Sequence, residues 1–216
     1  MKGENTERET GFQPMREPDH RVRAISAAIM AGGRSRRMGT TKALLTYRGR
    51  PLITQVYESL LPLFEDIFVV TNDSGLFDFL PCPMIPDRVP GKGPISGIDA
   101  ALRYSRNPHV LVVGCDAPFL SPSLMKLLTG KALGADLVIP YGPNGPEPLC
   151  AVYGKGCLPL IEDSLRKGDF KLTELATRLP AREISLDEVA AVDPGFRSFR
   201  NINTPEEYQT LTGEEP

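Results

Sequence analysis

The sequence predicts an α/β fold in which a mostly parallel sheet carries helices on both faces. Three observations predict it. Apolar runs without alternation, at Ala24–Met30, Ile67–Thr71 and Val110–Cys115, read as short strands buried on both sides. Segments with apolar residues at helical spacing separate these runs. Each run ends in glycine, asparagine or aspartate, the residues that turn a chain at the end of a strand. Strands alternating with helices call for crossover connections, which keep neighbouring strands parallel and cover both faces.

Taken in order, Ala24–Met30 is the first strand and stops at the paired Gly32 and Gly33. Pro51–Leu61 begins with proline, carries apolar residues at helical spacing and must end before Pro62, so it reads as a helix. Ile67–Thr71 is the second strand, halted by Asn72-Asp73-Ser74-Gly75. Pro81 to Gly97, rich in Pro and Gly, holds at most a short strand near Met84–Ile85, and a helix follows from about Ile95 to Tyr104. Val110–Cys115 is the clearest strand, with Asp116 at its carboxyl end. Ser121 and Pro122 open the next helix as N-cap and first helical residue. Asp136–Pro140 and Leu149–Tyr153 flank a glycine/proline turn short enough to join them antiparallel. From about Gly156 the chain is mostly helical with weaker short strands.

At 216 residues the chain suits one domain with a sizeable core. Residues 1–22 are polar and mixed in charge, so they are expected to form a disordered N-terminal tail ahead of a single domain at 23–216. The tail lacks the apolar centre of a secretion signal, and no run of about 18 apolar residues exists to span a membrane. A net charge of −2 gives no overall reason to bind nucleic acid or a membrane surface, so any anion must be met by a local basic cluster. Four cysteines without a C-x-x-C pair, and only His20 and His109 beside them, argue against structural zinc. Buried free thiols in a reducing cytoplasm are expected instead.

The segment Ile29-Met30-Ala31-Gly32-Gly33-Arg34-Ser35-Arg36-Arg37-Met38-Gly39-Thr40-Thr41-Lys42 supplies that basic cluster. Small residues let backbone N–H groups approach an anion closely, and the arginines and Lys42 bring the charge a polyphosphate requires. Its spacing matches neither the common phosphate loop nor the dinucleotide fingerprint. Asp116, at the end of a buried strand, needs a partner for its charge, and a hard cation such as Mg²⁺ favours one or two carboxylates together with phosphate oxygens. Asp87 precedes a loop of glycines and proline, Gly91-Lys92-Gly93-Pro94-Ile95-Ser96-Gly97. Asn72, after the second strand, is placed to meet a base or ribose. All of these follow strand ends, and ligands of such sheets bind beyond the carboxyl ends of the strands. Two histidines, one in the tail, leave no serine–histidine–aspartate nucleophile.

The first loop closely resembles the G-G-x-S-x-R-M-G-x-x-K signature of nucleotidyltransferases, and its paired glycine is most similar to the molybdenum cofactor guanylyltransferase (MobA-type) branch. Gly114-Cys115-Asp116-Ala117-Pro118, the Asp87…Gly-Pro-x-x-Gly arrangement, Glu147-Pro148-Leu149-Cys150-Ala151-Val152-Tyr153 and Phe199-Arg200-Asn201-Ile202-Asn203-Thr204-Pro205-Glu206-Glu207 extend the resemblance over roughly residues 25–210. The resemblance implies a Rossmann-like fold of the nucleotide-diphospho-sugar transferase type. It also implies Mg²⁺-dependent transfer of GMP from GTP to molybdenum-bound molybdopterin, with release of pyrophosphate. Met30, Ala31, Gly32, Gly33, Arg34, Lys42, Asn72, Asp87 and Asp116 would bind GTP. Lys42, Arg37 and Asp116 would be catalytic, with Asp116 as the metal ligand. Glu147, Pro148, Asn201 and Asn203 would face the acceptor, although Glu147 stands where some members have histidine. Partners would be the two substrates and, transiently, other proteins of cofactor biosynthesis, in the cytoplasm. Two enzyme rivals are a cytidylyltransferase on the same acceptor, whose loop usually has Ala-Gly at Gly32-Gly33, and another small-molecule nucleotidyltransferase. The non-enzyme rival is a nucleotide-binding regulatory module, whose mark would be loss of Lys42 or Asp116.

Overall fold

The computed structural model describes residues 24–32 and 42–202. The expected tail at 1–22, and with it the start of the domain at 23, lies outside the described residues, as do Gly33, Arg34, Arg37 and Asn203. The chain runs through β1 (Ile25–Met30), a 3-10 turn at Lys42–Leu44, a small hairpin of β2 (Thr46–Tyr47) and β3 (Arg50–Pro51), α1 (Leu52–Leu60), β4 (Ile67–Val70), β5 (Met84–Ile85) and α2 (Pro94–Tyr104). Then follow β6 (His109–Gly114), α3 (Pro122–Gly130), β7 (Leu137–Gly142), β8 (Gly145–Pro146), β9 (Cys150–Gly154), α4 (Leu158–Lys167), α5 (Leu172–Arg178), β10 (Ala181–Ile184) and α6 (Leu186–Val192).

One sheet organises the molecule, in the order β10-β7-β9-β6-β1-β4-β5, with β8 folded back on β7. β1 is parallel to β4 and β6, β4 to β5, and β7 to β10, whereas β9 runs antiparallel to both β6 and β7. The mostly parallel sheet and the antiparallel return around the glycine/proline turn are thus as expected. Successive strand residues feed opposite faces. Ala27, Ile29, Val69, Leu111 and Val113 pack with α1, α3 and α6, while Ala28, Met30, Phe68, Val70, Val110 and Val112 pack with α2, α4 and α5. Burial on both sides is why these strands read as unbroken apolar runs.

The helix ends follow from the sequence as well. α1 starts after Pro51 and ends at Leu61, ahead of Pro62. Its Leu52, Ile53, Val56 and Leu60 are fully buried, each contributing on the order of 1.5–3 kcal/mol by leaving water. Ser121 caps α3 by accepting a hydrogen bond from the Leu124 amide. Ser185 and Glu188 form a reciprocal capping box on α6 that was not anticipated. The cysteine expectation needs correction: all four thiols are free, but only Cys150 and Cys157 are buried. Cys82 and Cys115 are partly buried, packed against the edge of the core. Among the described residues, no helix is long and apolar enough to cross a membrane.

The topology sets where a ligand can sit. From β1 the chain passes through α1 to β4 and β5 on one side. It then returns through α2 to β6 on the other side of β1. The connections diverge at β1 and β6, opening a crevice beyond their carboxyl ends.

Candidate active site

Four backbone hydrogen bonds draw the strand ends into one rim. The Ala31 amide donates to Val70 O, Cys115 to Met30 O, Gly114 to Leu149 O and Ile202 to Asp116 O, at 2.9–3.2 Å. Tips from β4, β1, β6 and the approach to β9 are thereby fixed side by side, with the 201–202 segment closing over Asp116.

On the β4–β5 side, Asn72 and Asp87 grip each other. Asn72 Nδ2 donates to Asp87 Oδ2 and the Asp87 amide donates to Asn72 Oδ1, both at 2.9 Å. Asn72, expected to meet a base or ribose, therefore spends much of its amide on holding Asp87. Burial pushes the Asp87 carboxyl above its ordinary range, and the Asn72 amide pulls it partway back. A Cβ on Gly32 would stand 4.0 Å from Asp87 Oδ2, which places the first glycine of the loop beside this carboxylate. Gly97, in the first turn of α2, packs against the same group: a Cβ there would overlap the Met30 methyl and come within 3.3 Å of Asp87 Oδ1. The Met30 side chain is core and its carbonyl is engaged by Cys115. Ala31 is half-buried and Gly32 exposed.

Asp116 occupies the middle of the rim, directly after β6. Burial raises its carboxyl above the usual range, opposed by its own backbone amide and by the Lys42 ammonium. The same lysine opposes the burial and the Asp116 charge that push the Cys115 thiol up to about 12. Lys42 and Asp116, far apart in sequence, are thus electrostatic neighbours. Gly114 makes room for this arrangement, since a Cβ there would lie 2.8 Å from Asp116 Oδ1.

Beyond Asp116 lie the residues expected on the acceptor side. The Glu147 amide donates to Pro140 O and its carbonyl accepts from Cys150, which holds the turn before β9. Tyr153, fully buried, donates its hydroxyl to Pro148 O at 2.9 Å. The Glu147 carboxylate and the Phe199 ring both close on Gly142, each with an atom 2.8 Å from where its Cβ would be. Burial raises the Glu147 carboxyl too. Asn201 is exposed next to Ile202, the residue tied to Asp116. Gly114 and Phe199 stand in the motifs with no role legible from the sequence. Only their contacts with residues elsewhere in the chain, Asp116 and Gly142, reveal them.

Chemically the rim offers an ammonium beside a carboxylate, with glycine backbone at one edge. Among the described residues no three His, Cys, Asp or Glu side chains gather into a protein cage for a metal. A divalent cation at Asp116 would suit a site completed by phosphate oxygens, since Mg²⁺ takes one or two carboxylates together with them. Burial disfavours the charged form of the Asp116 carboxylate, so a cation beside it would offset that cost.

Comparison with known proteins gives a consistent picture. The model of the MobA-like NTP transferase domain matches residues 27–182. The chain is 35% identical over 190 residues to a molybdenum cofactor guanylyltransferase of Desulfosudis oleivorans, covering 86% of this chain and 93% of that protein. Among solved structures it is similar to molybdopterin-guanine dinucleotide biosynthesis protein A from Archaeoglobus fulgidus, with a TM-score of 0.77 and 29% identity over 87% of this chain and 97% of that one. The 2-C-methyl-D-erythritol 4-phosphate cytidylyltransferase of Thermus thermophilus shares the fold, at a TM-score of 0.64 and 17% identity, over 87% of this chain and 97% of that one.

Proposed function

The chain belongs to the MobA-like NTP transferase family, and from that premise we propose that it transfers GMP from GTP to the phosphate of molybdenum-bound molybdopterin, releasing pyrophosphate. The observation that carries this reading is the convergence of Gly32, Asp87, Lys42 and Asp116 on the crevice at β1 and β6, with Glu147 and Asn201 on its far side. One side suits a donor nucleotide and the other an acceptor, with Asp116 between them.

The reaction is a substitution at the α-phosphorus of GTP. A terminal phosphate oxygen of the acceptor forms the new P–O bond as the bond to the β-phosphate breaks, and pyrophosphate departs. The acceptor phosphate is already ionised at neutral pH, so no general base is needed. Lys42 places its ammonium against the α-phosphate, where negative charge crowds in the transition state. Arg34 or Arg37 would help hold the departing pyrophosphate. Asp116 would hold Mg²⁺, which would supply charge neutralisation at the phosphates. Asp87, kept in place by Asn72, contacts the nucleoside. The small Gly32-Gly33 pair leaves room for a purine edge, favouring guanine over cytosine. Glu147, Pro148, Asn201 and Asn203 face the acceptor.

The test is pyrophosphate release measured with each of the four nucleoside triphosphates, Mg²⁺ and the molybdopterin acceptor. Release with GTP is expected to exceed that with the other three. Release with CTP in preference would assign the chain to cytidylyl transfer, and release with none would leave a binding module.

A further inference from the structure

Asp99 lies on α2, and its carboxylate is fully buried. One oxygen, Oδ1, accepts from Arg103 Nε at 3.0 Å. The other, Oδ2, accepts no hydrogen bond, and its charge is met by Arg88 Nη1 at 3.2 Å. A buried carboxylate is costly to leave unpaired, so this oxygen holds the Arg88 guanidinium even though half of that side chain remains exposed. Arg88 directly follows Asp87. The next residue, Val89, donates its amide to the buried Ser96 hydroxyl of α2 at 3.1 Å. Residues 87, 88 and 89 are therefore tied in succession to Asn72, Asp99 and Ser96. Arg103 bridges Asp99 to Glu162 and so α2 to α4, and Arg88 Nη1 also stands 4.0 Å from Glu162 Oε1.

We propose that Asp99 is a positioning residue: through Arg88 it fixes the path of the loop that presents Asp87 at the donor side of the rim. This rests on the reading of Asp87 as a nucleotide contact. The two arginines on Asp99 then divide the work. Arg88 sets where Asp87 stands, and Arg103 joins two helices away from the rim.

Steady-state pyrophosphate release against GTP concentration separates these roles. Arg88→Ala and Asp99→Asn are each expected to raise KM for GTP about tenfold with kcat within about threefold of wild type, the pattern of a lost binding contact. The double variant should be no worse than either single one, because both break the same tie. Arg88→Lys, which keeps the charge, should recover part of the affinity. Arg103→Ala should lower the melting temperature and leave KM for GTP unchanged. If Asp99→Asn does not fold, the half-exposed Arg88 and its two variants carry the test. An unchanged KM in Arg88→Ala, alongside a raised KM in Asp87→Ala, overturns the proposal. So does an equal rise in Arg103→Ala, which would make Asp99 a general structural residue. An unchanged KM in Asp87→Ala itself would instead remove the reading of Asp87 on which the proposal rests.

Discussion

Asn72 and Asp87, fifteen residues apart, are joined by two hydrogen bonds of 2.9 Å that run in opposite directions. The pair latches the end of β4 to the segment after β5 and aims the Asp87 carboxylate toward Gly32. Neither residue is deeply buried, so the latch orders a surface rather than filling a core.

Removing the latch should loosen the donor side without touching the reacting centre. Asn72→Ala is expected to fold normally and to raise KM for GTP by about five- to tenfold, equivalent to one or two lost hydrogen bonds, with kcat little changed. Initial rates over a range of GTP concentrations check this. A fall in kcat at constant KM would place Asn72 in the chemical step.

Asp87 should also trade stability for function. Burial raises its pKa in the folded protein, so the folded state binds a proton more tightly than the unfolded chain does. The ionised carboxylate is therefore a destabilising contribution, fully present above the folded pKa and absent below the ordinary value of 3.8. Asp87→Asn, which keeps an acceptor for Asn72, is expected to raise the melting temperature at pH 7 while weakening GTP binding. That gain should shrink as the pH falls toward about 4. Thermal melts at several pH values measure it, and a lower melting temperature at pH 7 would show that the charge is compensated in the free protein.

Much of the fold was legible locally, for physical reasons. Val110–Val113 is unbroken because both faces of β6 are covered, and the same holds for β1 and β4. Proline set the start of α1, and Ser121 with Pro122 set that of α3. The insertion of β9 between β6 and β7 was not legible, because strand order depends on pairing across long sequence distances. The same limit applies at the site. Lys42, Asp87 and Asp116 stand in legible motifs, whereas the Asp99–Arg88 pair and the meeting of Glu147 with Phe199 over Gly142 have no local signature. The capping box at Ser185 and Glu188 is also legible from spacing alone, a serine three residues ahead of a glutamate.

Gly114 offers a test that leaves every polar group in place. Its strand conformation accommodates alanine, but the new methyl would crowd Asp116 Oδ1 at 2.8 Å and turn the carboxylate aside. Gly114→Ala is expected to stay folded and to lose about tenfold or more in kcat, since a small misplacement of an electrostatic group is costly to the transition state. Circular dichroism with single-turnover kinetics checks both halves. Wild-type kcat would mean that the position of this carboxylate is unimportant.

Nucleotide choice can be measured without the acceptor. Calorimetry with Mg²⁺ present is expected to show GTP binding at least about tenfold more tightly than CTP, a difference of about 1.4 kcal/mol that two or three base-edge hydrogen bonds can supply. Equal or tighter CTP binding would remove the guanylyl assignment and leave the fold intact.

Pyrophosphate release by Asp116→Ala across a Mg²⁺ titration, with Lys42→Ala in parallel, bears most directly on the role given to the rim. Both variants are expected to stay folded and to lose on the order of a hundredfold or more in turnover, the scale of one preorganised charge contact. Asp116→Ala should also need more Mg²⁺ to reach half its maximal rate, because the metal loses its protein ligand. Lys42→Ala should keep the wild-type Mg²⁺ midpoint and remain slow at saturating metal. A wild-type rate for Asp116→Ala at ordinary Mg²⁺ concentrations would contradict the assignment, leaving Asp116 a structural residue at the end of β6.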